Sequence, residues 1–92
     1  MITFKNVKKK YPNGFLALEN INLVIPENEF VYFIGPSGAG KSTMLRLMFL
    51  EEKTTSGEII IDKYILGQLS KPQVPYYRRN IGMIFQDYKL LP

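Results

Sequence analysis

The sequence predicts an α/β fold organised around a strand, a glycine-rich loop and a helix, and three observations carry that prediction. Phe30, Val31, Tyr32, Phe33 and Ile34 form an unbroken apolar run of strand length, which suits burial on both faces within a parallel sheet. Gly35, Gly38 and Gly40 follow it directly. Lys41 to Leu50 then sets Met44, Leu45, Leu47 and Met48 along one apolar helical face. Strand, glycine loop and helix in that order make a recurrent α/β unit.

The remaining elements fall around this unit. Ile2 to Val7 and Ile21 to Ile25 alternate apolar and polar residues, so each reads as a strand with one buried face, and Pro12, Asn13 and Gly14 mark the turn between them. Pro26, Glu27 and Asn28 break the chain before the buried run. Thr54 to Gly57 closes the helical segment, and Glu58 to Asp62, with Ile59, Ile60 and Ile61, reads as another strand. Lys71 to Arg79 is polar and holds Pro72 and Pro75, which fits a short helical turn starting near Pro72 or Gln73. Ile81 to Phe85 reads as a final strand. No internal repeat or low-complexity segment is present, and residues 1–92 read as part of one domain.

Composition narrows the possible functions. With 92 residues, 46% of them hydrophobic and 22% charged, the chain has material for one small core and is expected to be marginally stable alone. There is no cysteine and no histidine, which excludes disulfides, thiolate metal sites and imidazole chemistry within these residues. The net charge of +4 is concentrated at Lys8, Lys9 and Lys10 and at Arg78 and Arg79. Such clusters serve either as a solvated face or as an attraction to acidic lipid headgroups or an acidic partner near a membrane. A nucleic-acid partner is not expected. No apolar stretch approaches the roughly 20 residues a spanning helix needs, and the start lacks the layout of a signal peptide. Solubility is expected, with any membrane association passing through a partner.

Gly35, four residues, Gly40, Lys41 and Ser42 match the phosphate-binding loop pattern, or Walker A motif. At average residue usage such a match arises by chance in roughly 0.3% of chains this long, and the flanking strand and helix reduce that further. A triphosphate gives up tightly held water when it binds, so its site must offer many close donors. Glycines let the backbone wrap the phosphates, and amides from Gly38 to Thr43 would point inward. The first turn of the following helix adds partial positive charge. Lys41 adds a full charge near the β and γ phosphates, Ser42 a hydroxyl for Mg²⁺, and Thr43 a donor to the α-phosphate. The expected phosphate-binding residues are therefore Gly35, Pro36, Ser37, Gly38, Ala39, Gly40, Lys41, Ser42 and Thr43, with ATP and Mg²⁺ as the ligands.

Four segments extend the argument: Tyr11 to Gly14 (Tyr-Pro-Asn-Gly), Phe33 to Thr43, Glu51 to Glu58 with its Thr-Ser-Gly-Glu ending, and Arg78 to Pro92 with Phe-Gln-Asp inside it. With these the chain resembles the nucleotide-binding domain of ABC ATPases. The stretches Gln73 to Arg79 and Asp87 to Pro92 resemble the cell-division branch of that family in particular. The resemblance implies a mostly antiparallel N-terminal β-subdomain followed by the start of a parallel core sheet. It also implies that Tyr11 stacks on adenine. Gln86 would be the glutamine that touches the Mg²⁺ shell and attacking water, acting in catalysis beside Lys41. Tyr88, Leu90 and Leu91 either face a membrane partner or belong to an ordinary core. A homodimer at the cytoplasmic face of the plasma membrane, driving an integral membrane partner, is the implied assembly.

The sequence departs from the family pattern at Lys63, where a glycine is usual in the hairpin turn, and at Leu50, where a basic residue is usual. In the family the signature loop, the acidic Mg²⁺ ligand, the catalytic glutamate and the switch histidine all follow the Gln86 position. Asp62 ends an apolar strand, but its place after Ser-Gly-Glu marks a hairpin. Residues 1–92 are therefore expected to be the N-terminal part of a nucleotide-binding domain, binding ATP weakly and not hydrolysing it alone. Two alternatives remain open: the ATPase subunit of a solute transporter, and a truncated, non-catalytic nucleotide-binding or interaction module.

Overall fold

The computed structural model describes residues 1–26, 29 and 39–87, with 39–41, 86 and 87 described as backbone. The strand expected at 30–34, the loop residues 35–38 and the segment 88–92 lie outside the described residues.

Four strands build one sheet: β1 (Ile2–Lys10), β2 (Leu16–Ile25), β3 (Ser56–Ile61) and β4 (Tyr64–Ile65), in the order β2-β1-β3-β4. Among the described residues every pairing is antiparallel, with Phe4 opposite Leu23 on one side and Ile59 on the other. Two helices, α1 (Ala39–Met48) and α2 (Val74–Asp87), contribute to the same core. That core joins Ile2, Phe4, Val7, Leu18, Ile25, Ile59 and Ile61 of the sheet to Leu47, Met48, Tyr77, Ile81 and Phe85 of the helices.

Simple alternation does not explain how β1 buries Ile2, Phe4 and Val7 together, because a period of two from Phe4 would turn Asn6 inward. Asn6 instead adopts φ 50°, and the register with β2 shifts between Phe4 and Val7. The extra residue of this bulge returns Val7 to the core face. Asn20, also at φ 50°, has the matching role in β2, where it restores Ile21, Leu23 and Ile25 to the face already occupied by Leu18. Asparagine suits both places because its short amide tolerates the left-handed region better than most residues. Gly57 of β3 crosses the Asn6 bulge so closely that a Cβ there would lie 2.2 Å from the Asn6 carbonyl oxygen.

Asp62, at φ 54°, and Lys63 link β3 to β4, with Ile61 opposite Tyr64. This is the hairpin expected after Ser-Gly-Glu, and its left-handed residue is Asp62, one position before Lys63, where a glycine is usual in the family.

One element differs in kind from its expectation. Ile81 to Phe85, read as a strand, lies within α2. In five residues Ile-Gly-Met-Ile-Phe, alternation and a helical repeat fit equally well, so neighbouring turns decide. Tyr77, Ile81 and Phe85, spaced four apart, are buried on one stripe, while Met83 is 58% exposed. A strand would have buried Met83 with Ile81 and Phe85. The short turn expected near Pro72 is a 3-10 turn, Lys71–Gln73, that leads into α2.

The C-terminus of α1 is closed by α2. Leu50 sits at φ 58°, and the bonds from Glu51 N–H to the Arg46 carbonyl (2.9 Å) and from Leu50 N–H to the Leu47 carbonyl (3.1 Å) form a Schellman turn. Tyr77 donates its hydroxyl to the Met48 carbonyl, and Arg78 donates from Nε to Phe49 and from Nη2 to Leu50, each at 2.9 Å. Arg78 is therefore more than part of a solvated cluster, since it satisfies the orphan carbonyls of a helix end. Arg78→Ala is expected to lower stability by about 1–2 kcal/mol, with Arg78→Lys recovering only part, as read from urea denaturation midpoints.

Burial, reinforced by the nearby Tyr64 phenol, pushes the Tyr77 phenol well above its ordinary range. The buried neutral form is preferred in the folded state, so this contribution is complete below the unfolded pKa of about 10 and declines as pH rises above it. Unfolding free energy should therefore be lost progressively above about pH 10. Tyr77→Phe, though less stable at neutral pH, should show a flatter alkaline limb in denaturation series.

Candidate nucleotide-binding site

The first turn of α1 begins at Ala39 and Gly40, inside the glycine loop. Its leading N–H groups have no intrahelical partner, and the turn carries no acidic residue to offset the helix dipole. A positive helix end whose first turn holds no acidic residue suits an anion. Lys41 is the third residue of this helix. Ser42, half-buried, is the fourth, and Thr43 is buried at 4% exposure. Gly35, Pro36, Ser37 and Gly38 lie outside the described residues, so of the expected phosphate site the structure places Ala39 to Thr43 together on one helical turn. Ser42 brings a hard oxygen donor of the type Mg²⁺ takes, and this ion ordinarily draws its remaining ligands from phosphates and water. Among the described residues no group of three or more His, Cys, Asp or Glu could hold a metal ion.

Gln86 is reached by a different route from the one expected. Its backbone belongs to the last turn of α2 and does not follow a strand. The adjacent Phe85 sets its ring edge-on against Phe49, with centroids 5.2 Å apart. Phe49 lies seven residues on from Ser42, or about 10 Å of helical rise. The described contacts thus anchor this end of α2 to the C-terminal end of α1.

Tyr11 leaves the sheet at the end of β1 and has more partners than its neighbours in sequence suggest. Its hydroxyl donates to Glu52 Oε1 at 2.8 Å. The Lys9 ammonium stands 5.1 Å from the ring centroid, and the Phe15 ring lies 6.3 Å away at an interplanar angle of 10°. Tyr11 N–H bonds to the Phe15 carbonyl and Gly14 N–H to the Tyr11 carbonyl, which closes the turn. Glu52 lies in the Glu51 to Glu58 segment and Lys9 in the basic cluster, but neither was read as a partner of Tyr11; Phe15, an aromatic four residues after Tyr11 beyond a Pro-Asn-Gly turn, was the nearest to a readable signal. A cavity of about 580 Å³ lies at the opposite end of α1 from the glycine loop, bounded by Leu47, Leu50, Leu66, Val74 and Arg78, and includes none of the phosphate-loop residues.

The model of the family described as ABC transporter matches residues 18–92, most of the chain. The chain belongs to the ABC transporter family. The cell division ATP-binding protein FtsE of Bacillus subtilis is 50% identical to it over 92 residues, covering 100% of this chain and 40% of that protein. The phosphonates import ATP-binding protein PhnC of Lactococcus lactis is 46% identical over 92 residues, covering 100% of this chain and 37% of that protein. Among solved structures, a dimeric ATP-binding cassette in a post-hydrolysis state with ADP and Pi is 41% identical. It has a TM-score of 0.68 and covers 86% of this chain and 35% of the other. The chain thus spans about 40% of the length of its FtsE relatives. The antiparallel sheet and two helices are accordingly part of an ABC nucleotide-binding domain.

Among the described residues, no helix is long and apolar enough to cross a membrane.

Proposed function

We propose that this chain supplies the phosphate- and base-binding part of an ABC ATPase, and that the complete protein hydrolyses ATP to drive a membrane partner in bacterial cell division. The observation that carries the nucleotide reading is the first turn of α1, where glycine-loop backbone, Lys41 and Ser42 meet at a helix end free of acidic residues. There, backbone amides from Gly38 to Thr43 would hold the phosphates, Lys41 would neutralise charge toward the β and γ positions, and Ser42 would ligate Mg²⁺. Tyr11 would carry the adenine. Gln86 would report on the γ-phosphate through the Mg²⁺ shell. Mg²⁺, when bound, supplies Lewis acidity and charge neutralisation at the phosphoryl oxygens.

The division role is supported by the similarity to FtsE, and the partner would be an integral membrane protein of the FtsX type, engaged by a homodimer at the cytoplasmic face of the membrane. The 46% identity to PhnC supports a second reading, the ATPase of a solute importer. The membrane protein that co-purifies with the complete protein separates the two: a four-span partner with a large outer domain favours division, and a multi-span permease favours transport. Titration of the complete protein with Mg-ATP tests the shared core of both readings, and the absence of saturable binding would refute it.

A further inference from the structure

The contacts around Tyr11 form a support that the phosphate loop does not explain. Two consecutive residues after α1 reach it from 41 and more positions away: Glu52 accepts the Tyr11 hydroxyl at 2.8 Å, and the Lys53 carbonyl accepts from Lys9 Nζ at 2.8 Å. Lys9 in turn places its charge over the Tyr11 ring. Thr55 continues the same seam, since its N–H bonds to the Lys8 carbonyl and its hydroxyl oxygen accepts from Lys10 N–H at 2.9 Å. The backbone bonds across the turn fix Phe15 beside Tyr11. An aromatic ring whose only task was to cover a turn would not require its hydroxyl to be held by a carboxylate in another element. A ring that must present one face to a flat ligand gains from such support, because a side chain already ordered loses less rotational freedom when the ligand binds.

We propose that Glu52 is a positioning residue for the purine base: it orients the Tyr11 ring, so that base recognition depends on an acidic side chain beyond the end of the phosphate-loop helix. This rests on the reading of Tyr11 as the adenine platform. Lys9 acts alongside, held by the Lys53 carbonyl on the same ring. Glu52 touches neither base nor phosphate and acts through Tyr11 alone. Its effect is therefore confined to ligands that carry a base.

The test compares Mg-ATP with Mg-tripolyphosphate, which has the phosphates and no base, by calorimetric titration of the full-length protein. Glu52→Ala and Tyr11→Phe should each weaken Mg-ATP by about 3- to 10-fold, the scale of one lost hydrogen bond, and leave Mg-tripolyphosphate unchanged. The double variant Tyr11→Phe with Glu52→Ala should be no worse than either single one. Glu52→Gln, which keeps an acceptor oxygen, should retain most of the affinity. Equal losses for both ligands, additive losses in the double variant, or an unchanged ATP-to-tripolyphosphate ratio in Glu52→Ala would each overturn the proposal. Tyr11→Ala separates it from the parent reading: if that variant lowers ATP affinity selectively while Glu52→Ala does not, Tyr11 keeps its role and Glu52 loses its own. If Tyr11→Ala leaves the ratio untouched, the adenine platform itself is refuted and the proposal falls with it.

Discussion

Gly57→Ala is expected to destabilise the protein by about 3–5 kcal/mol, enough to leave a domain of ordinary marginal stability largely unfolded. Two independent costs combine. Gly57 has φ +87°, a conformation in which a side chain is strained whatever the surrounding space. Its Cβ would also stand 2.2 Å from the Asn6 carbonyl oxygen, 2.6 Å from the Asn6 carbonyl carbon and 2.6 Å from the Val7 Cα. All three are backbone atoms of the bulge, so no side chain can rotate away. Relief requires moving β1 from β3, which would disturb the pairing that buries Ile2, Phe4, Ile59 and Ile61. Gly14→Ala is the control: φ is +92°, yet nothing lies within 4 Å of its Cβ. It should cost about 1–2 kcal/mol, from backbone strain alone. Urea denaturation of the two variants beside the parent checks the difference, and equal losses would show that the close approach to Asn6 is not rigid.

Lys41→Ala in the complete protein should weaken Mg-ATP binding by roughly 30- to 1,000-fold, the cost of removing one partner from a desolvated charge pair, and should take turnover below detection. Folding should survive, because alanine is the best helix former and the substitution lies in the first turn of α1. Circular dichroism and a thermal melt therefore distinguish lost chemistry from lost structure. Lys41→Arg keeps the charge but exchanges a compact ammonium for a wide planar fork, so only part of the binding should return. Turnover retained by a well-folded Lys41→Ala variant would end the ATPase reading.

Much of this was legible beforehand. The antiparallel strands near 2–7, 21–25 and 58–62 and the helix after the glycine loop all lie close to where they were read. Each has a local period, a bounding turn or a breaker, and those signals act over a few residues. The elements that were longer than expected, β1 to Lys10 and β2 from Leu16, run past their local patterns because they pair with each other. The bulges at Asn6 and Asn20 were concealed for a related reason: three-residue spacings from Phe4 to Val7 and from Leu18 to Ile21 look like lapses in alternation until a partner strand shows the register shift.

The amino-acid sequence by itself carried the α/β class and the family, because the Gly35 to Thr43 pattern, the strand periods and the turn residues are local and each states its own geometry; the same pattern is what proposes Gly35 to Thr43 as the phosphate site. Tertiary structure alone decided that 81–85 is helical, that Arg78 and Tyr77 close the end of α1, and that Glu52 holds Tyr11. Those outcomes depend on contacts between residues 28 to 41 positions apart. Packing selects among locally equivalent conformations by the apolar surface and hydrogen bonds each one completes, and that selection is made only when distant segments meet.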